Sequence, residues 1–229
     1  MRRAILNRLA CAGVLGALCG GCDRSPAVDA GAGLSLAATV ARMRALHQDA
    51  AYADLRRHID AAVREEVIDL LLAVDQLMVA NRAALRAVRA ACPTCPAGVY
   101  DLSFLADELE LFAPGLRIVD AREAGTSGLV IAQVADRVPL VELRFEKRES
   151  RWVYLPGETD RDLPRVITDL ARALERVTAR LAAAGTVDPS EVEREYRYRV
   201  GRRLKAVAAG ALKTREQSRQ APTGAADPS

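Results

Sequence analysis

From Ser35 onward, apolar residues recur every three or four positions, the period of a helix with one buried face. Leu36, Val40, Met43 and Leu46 make the first such stripe, and "AYADLRRHI" adds a short second piece. The strongest pattern spans residues 62 to 91, through Val63, Val67, Leu70, Val74, Leu77, Asn81, Leu85 and Val88. Leu71 and Met78 widen this stripe beyond the narrow seam of a two-stranded coiled coil, so it predicts a long helix laid on a domain core. "CPTCPAG" stops that helix, because its prolines and glycine cannot continue it. "DLSFLADELELF" then predicts another short helix, anchored by Phe104, Leu105, Leu109 and Phe112.

After Pro114 the period falls to two. "GLRIVDA", "LVIAQVADR", "VELRFEK" and "RWVYL" are short and rich in β-branched or aromatic residues. Val141, Leu143 and Phe145 share one face against Glu142, Arg144 and Glu146, and Trp152 and Tyr154 repeat the alternation. The connections "EAGTSG" and "KRESR" are too short for parallel crossovers, so they predict an antiparallel meander. Helical spacing returns with Leu163, Ile167, Leu170, Leu174, Val177 and Leu181, up to a stop at Gly185. A last helix is announced by Asp188 as N-cap, Pro189 at its first position and Glu191 three after the cap. Its thinner stripe runs through Val192, Tyr196, Val200, Leu204 and Val207. Together these elements predict an α+β fold: N-terminal helices packed on a curved antiparallel sheet of four strands, with two extra C-terminal helices.

The N-terminus changes how the composition is read. Arg2, Arg3 and Arg8 precede an apolar stretch from Leu9 to Leu18, about half the length needed to span a membrane, and Gly20 and Gly21 lead into Cys22. That is the layout of a secretory signal segment over residues 1–21. Residues 22–34 are small, polar and Gly/Pro-containing, as in a flexible tether. The expected organisation continues with an α+β domain at 35–156, a helical extension at 157–215 and a disordered tail at 216–229. The formal charge of the whole chain is +3, and removing the three signal arginines leaves 30 bases and 30 acids. A neutral mature chain gives no ground for a nucleic-acid partner.

The end of the signal segment resembles the lipobox of bacterial lipoproteins, with Gly20, Gly21 and Cys22 in register and Cys19 where Leu is usual. The resemblance implies that Cys22 is acylated and becomes the mature N-terminus, which would tether the chain to a membrane of the cell envelope. Residues 36–155 are similar in layout to the nuclear-transport-factor-two-like superfamily, the cone-shaped fold of ketosteroid isomerase. "AAYADLRRHI" stands where its small exported members carry a "gdY-x-x-L" helix, and "LRFEKRESRWVY" where they end on a strand such as "L-x-F-x-K-x-x-x-x-W-x-Y". That resemblance implies a pocket under the sheet for a small apolar ligand or a partner protein. The two helices after Leu155 are not part of the usual pattern. Asp120, Asp136 and Glu142 lie in or near strands but read as outward-facing, so no catalytic constellation is assigned to them.

Five cysteines are present, and signal cleavage with acylation would use Cys11, Cys19 and Cys22, leaving Cys92 and Cys95 as a pair. In an oxidising compartment that pair predicts a local disulfide clamping the end of the long helix. A thiol–disulfide enzyme is the alternative chemistry, but its thiolate would sit at a helix C-terminus, where the dipole has the wrong sign. His47 and His58 fall in different helical pieces, so no zinc site or other cofactor is expected. From 191 to 219 there are nine bases and four acids, read as a solvated helix face or as a segment that lies on anionic headgroups. No phosphate loop, dinucleotide loop, Ser-His-Asp order or metalloprotease motif occurs. The chain reads first as a non-enzymatic ligand-binding or interaction module. A periplasmic oxidoreductase and a scaffold built on the long helices stay open as alternatives.

Overall fold

Ser35 caps the first helix, α1 (Leu36–Gln48), by accepting a hydrogen bond from the Ala38 amide. The computed structural model describes residues 33–135, 140–157 and 161–207. Cys22 and the expected signal segment, Asp136, and the tail from 208 lie outside those residues. The four residues of the α1 stripe are buried and face the sheet. Polar contacts fix that crossing: the Leu36 amide donates to Glu123 Oε1 at 2.7 Å, and Arg44 donates to the carbonyls of Ala113 and Leu116, both at 3.1 Å. A short α2 (Tyr52–Leu55) and a 3-10 turn (Arg56–His58) follow.

The long helix is α3 (Arg64–Ala91), 28 residues in all. Its buried face is broader than the stripe of large residues, because Ala73, Ala80, Ala84 and Ala91 are buried as well. Small side chains let a second helix approach closely, and that helix is α4 (Leu163–Ala184), the most extensive helix partner of α3. Arg161 pairs with Glu66 at one end, and the Val187 amide donates to the Ala91 carbonyl at 2.9 Å at the other. The two helices therefore run in the same direction, and the chain needs the intervening sheet to return to its starting end.

Between them lies a four-stranded antiparallel sheet in the order β1 (Leu116–Ala124), β2 (Ser127–Val134), β3 (Val141–Arg148), β4 (Arg151–Leu155). The fold is α+β, and the sheet is open rather than closed into a barrel. Two-residue turns join β1 to β2 and β3 to β4. A bulge between Ile118 and Asp120 leaves Val119 without a register partner on the outer edge strand. The other edge, β4, is covered by a parallel bridge from Ile59 to Tyr154 and by the Asp60 amide donating to the Tyr154 carbonyl at 3.0 Å.

The segment expected as a helix at 101–112 is instead a 3-10 stretch, Ser103–Phe112, broken at Glu110. Glu110 has φ 46° and ψ −99°, a backbone conformation costly for a side chain other than glycine. The break and the tighter winding shift the buried set to Leu105, Leu109, Leu111 and Phe112. Phe104, expected as an anchor, is 47% exposed.

One continuous buried cluster joins α1, α3, the inner sheet face, α4 and α5 (Pro189–Arg199). The described part of 157–215 thus belongs to the same core as 35–156, with Ile167, Leu170, Leu174, Val177, Leu181 and Val192 all buried in it. Asp188 caps α5 as its spacing predicts, and helical backbone resumes at 201–207 after a turn at Val200.

Candidate functional site

The space under the sheet is filled by side chains. Val130, Ala132, Leu143, Phe145, Trp152 and Tyr154 on the inner face are each buried, and so are Leu36, Val40, Met43 and Ile59 in the same cluster. Packing is tightest at Gly128, where a Cβ would sit 2.9 Å from both the Trp152 ring and Leu36. Tyr154 lies beside Phe145, with ring centroids 5.3 Å apart. Burial, and then the nearby Glu110 carboxylate to which its hydroxyl bonds, push its pKa well above the ordinary phenol value. The strained Glu110 thus supplies a polar partner for the buried Tyr154 hydroxyl.

A second polar group gathers where α1, α2 and α3 meet. Asp75 accepts a short hydrogen bond from the Tyr52 hydroxyl, and His47 Nε2 lies 3.3 Å from the same carboxylate oxygen. The His47 ring meets Phe112 edge to face at 5.3 Å. Burial alone would raise the Asp75 carboxyl. The bonds from His47 and Tyr52 outweigh it, so the group sits below the usual carboxylate range. No nucleophilic Ser or Cys joins the three among the described residues, and the arrangement pins three helical elements together. Their sequence spacings of 5 and 23 follow no periodicity, which is why the sequence did not reveal the group.

Further along α3, Asn81 donates to Asp101 Oδ1 at 2.7 Å and accepts from the Leu102 amide at 3.2 Å. Asn81 occupies the apolar stripe as a buried tie between the long helix and the segment after the disulfide.

Cys92 and Cys95 are joined by a disulfide with Cα atoms 5.4 Å apart. Cys92 is 1% exposed and Cys95 8%, so the bridge lies inside the core at the C-terminal end of α3. The sulfurs are bonded to each other and leave no thiolate for a metal. No group of three or more metal-ligating side chains converges among the described residues. Asp120 is taken up by an ion pair to Arg122 at 2.6 Å, and Glu142 faces outward. His58 is buried elsewhere, where loss of hydration lowers its pKa despite a hydrogen bond to the Trp152 backbone.

A four-residue loop is a modest constraint on the unfolded chain. The chain-entropy relation gives about 2 kcal/mol for it, so a Cys92→Ser/Cys95→Ser chain should lose that much stability in urea unfolding. A loss indistinguishable from zero would show that the bridge is not a clamp.

A concave surface with concentrated charge lies between α4 and the C-terminal helical turns. It is a groove of about 540 Å³ lined by Arg165, Asp169, Arg176, Arg199, Arg202 and Arg203. A shallower depression of about 520 Å³ adjoins it, sharing Arg202 and adding Arg194 and Arg197. The bases of the last helix stood out in the sequence, whereas the contribution of α4 did not. Its signal was present as Arg165, Arg172, Arg176 and Arg180, spaced by seven, four and four along the face opposite the apolar stripe. No protein-family model, curated protein or solved structure matches this chain.

Proposed function

We propose that this chain is an exported, lipid-anchored cell-envelope protein that acts by non-covalent interaction, with residues 1–21 as its signal and Cys22 as the acylated residue. The observation that carries this reading is the buried Cys92–Cys95 disulfide. Such a bond forms and persists in oxidising compartments and is rare where thiols are kept reduced. The N-terminal arginines, apolar stretch and "GGC" supply the route to such a compartment.

What favours a clamp over a thiol–disulfide enzyme is burial and position. Exchange requires a thiolate that can be reached, and the pair sits inside the core at the wrong end of the helix dipole. The order of helices and then a meander over 36–155 is compatible with kinship to the nuclear-transport-factor-two-like superfamily. With Trp152 and Tyr154 filling the inner face, the interaction surface belongs on the exterior.

Metabolic labelling with an alkyne fatty acid tests the anchor. The wild-type chain should take up label and Cys22→Ser should lose it. Label retained in Cys22→Ser would overturn the choice of cysteine, and an unlabelled wild type would overturn the anchor itself.

A further inference from the structure

Arginine side chains that line a groove together repel one another unless acids or bound anions neutralise them. Some of that neutralisation is internal. Arg199 is held by Glu195 on the next turn of α5, Arg165 lies 3.5 Å from Asp162, and Arg203 donates to the Arg199 carbonyl at 2.6 Å. Asp169, the groove's acidic residue, is shared with Arg172 at 3.4 Å. Arg176 and Arg202 have no acidic partner among the described residues, and they reach the groove from opposite walls, α4 and 201–207. Two guanidinium forks facing one space suit a phosphate, which each can grip with paired N–H donors.

Beside them stands Tyr198, 74% exposed and bordering both the groove and its neighbouring depression. An aromatic ring with a polar tip, fully presented to solvent next to cations, is the side-chain type that settles at a membrane–water interface. Past Arg202 the surface continues to Arg194 and Arg197, whose charges are shared with Glu191 and Glu193 on the same helix. An extended run of sites suits a sheet of headgroups better than one small anion.

We propose that this arginine-lined surface binds the phosphate-bearing headgroups of anionic lipids in the membrane to which the chain is tethered, a proposal that rests on the lipid-anchored reading above. The tether makes weak contacts effective. Thirteen residue steps separate Cys22 from Ser35, and at about 3.5 Å each they span at most roughly 45 Å, so the domain never leaves the vicinity of the bilayer. The chain's own last residues are a poor rival occupant. Residues 208–229 carry Lys213, Arg215 and Arg219 against Glu216 and Asp227, with no acidic excess to complement the groove.

The test uses the full chain carrying Cys22→Ser, so that no acyl group contributes, and flotation with vesicles of phosphatidylcholine alone or mixed with phosphatidylglycerol. The chain should float with the anionic vesicles, not with the neutral ones. It should be released at about 1 M salt, where screening reaches about 3 Å. Arg176→Gln/Arg202→Gln should reduce partitioning about 30-fold, from roughly fivefold per near-surface base compounded over two bases. Its thermal melt should be unchanged, since neither residue has an acidic partner to lose. Arg57→Gln/Arg122→Gln removes the same charge elsewhere and should bind as the parent does.

An equal loss in both double variants, or equal flotation with neutral vesicles, would overturn the proposal. So would a phosphate-dependent rise in melting temperature, seen with inorganic phosphate and lost in Arg176→Gln/Arg202→Gln, in a chain that floats with neither vesicle. Tighter binding to a single-stranded oligonucleotide than to the anionic vesicles at the same salt would also overturn it. Cys22 labelling keeps the two readings separable. A labelled chain blind to headgroup charge loses only the groove, and an unlabelled chain that still floats with anionic vesicles loses only the anchor.

Discussion

A chain ending at Gly157 is expected to lose cooperative folding altogether, although every strand and both of the first long apolar stripes would still be present. The reason is the pairing of α3 with α4. Ile167, Leu170, Leu174, Val177 and Leu181 of α4 belong to the same buried cluster as Val74, Leu77, Ala80, Ala84 and Val88 of α3. Cutting α4 away would bare an apolar face along much of a 28-residue helix. A surface of that extent is an aggregation liability rather than a tolerable domain boundary. Circular dichroism on residues 33–157 should show residual helix without a sigmoidal melt, and a hydrophobic dye should bind strongly. A sharp melt without dye binding would mean that 35–156 is an independent domain and that 157–215 is an accessory.

That expectation marks where sequence legibility ended. The stripes on α1, α3 and α4 and the alternation in β3 and β4 were readable, because each is a local record of which face meets the core. What covers a face is not local. The alanines at 73, 80, 84 and 91 in α3 permit a close partner, but nothing in their spacing says that the partner begins 72 residues after α3 ends, across a sheet. The 3-10 stretch at 103–112 departs from its helical pattern for a related reason. Its apolar residues fit a helix period until Glu110 turns the chain, and only the contact with Tyr154 gives that turn a role.

The site was partly legible in the same sense. "CPTC" announces a bridge because four residues bring two cysteines within reach of each other whatever the fold does. The arginines of the last helix stood out by density. The groove itself needed the packing of α4 beside them to turn a solvated face into a concave one. Tyr52, His47 and Asp75 gather only because α1, α2 and α3 converge.

Trp152→Ala should cost about 3–5 kcal/mol in urea unfolding, the range for truncating a large buried aromatic. Trp152 is 1% exposed, and its ring and Leu36 of α1 both close on Gly128 of β2, so three elements converge at this point. Its Nε1 is buried without an acceptor among the described residues, so the indole contributes volume rather than a hydrogen bond. Lys147 Nζ stands 5.5 Å from the ring centroid and adds a smaller cation–π contact. Trp152→Phe keeps most of the volume and leaves no polar partner stranded, so it should cost only about 1–1.5 kcal/mol. Equal losses in the two variants would mean that the N–H does have a partner and that packing is not the role of the ring. The alanine variant also probes the interior directly. If Trp152 fills the space that a pocket-bearing relative would leave open, Trp152→Ala should take up a small apolar ligand such as benzene, with a rise in melting temperature that the wild-type chain does not show. A wild-type chain that responded equally would already hold a cavity under the sheet, and the interior rather than the arginine surface would be its candidate binding site.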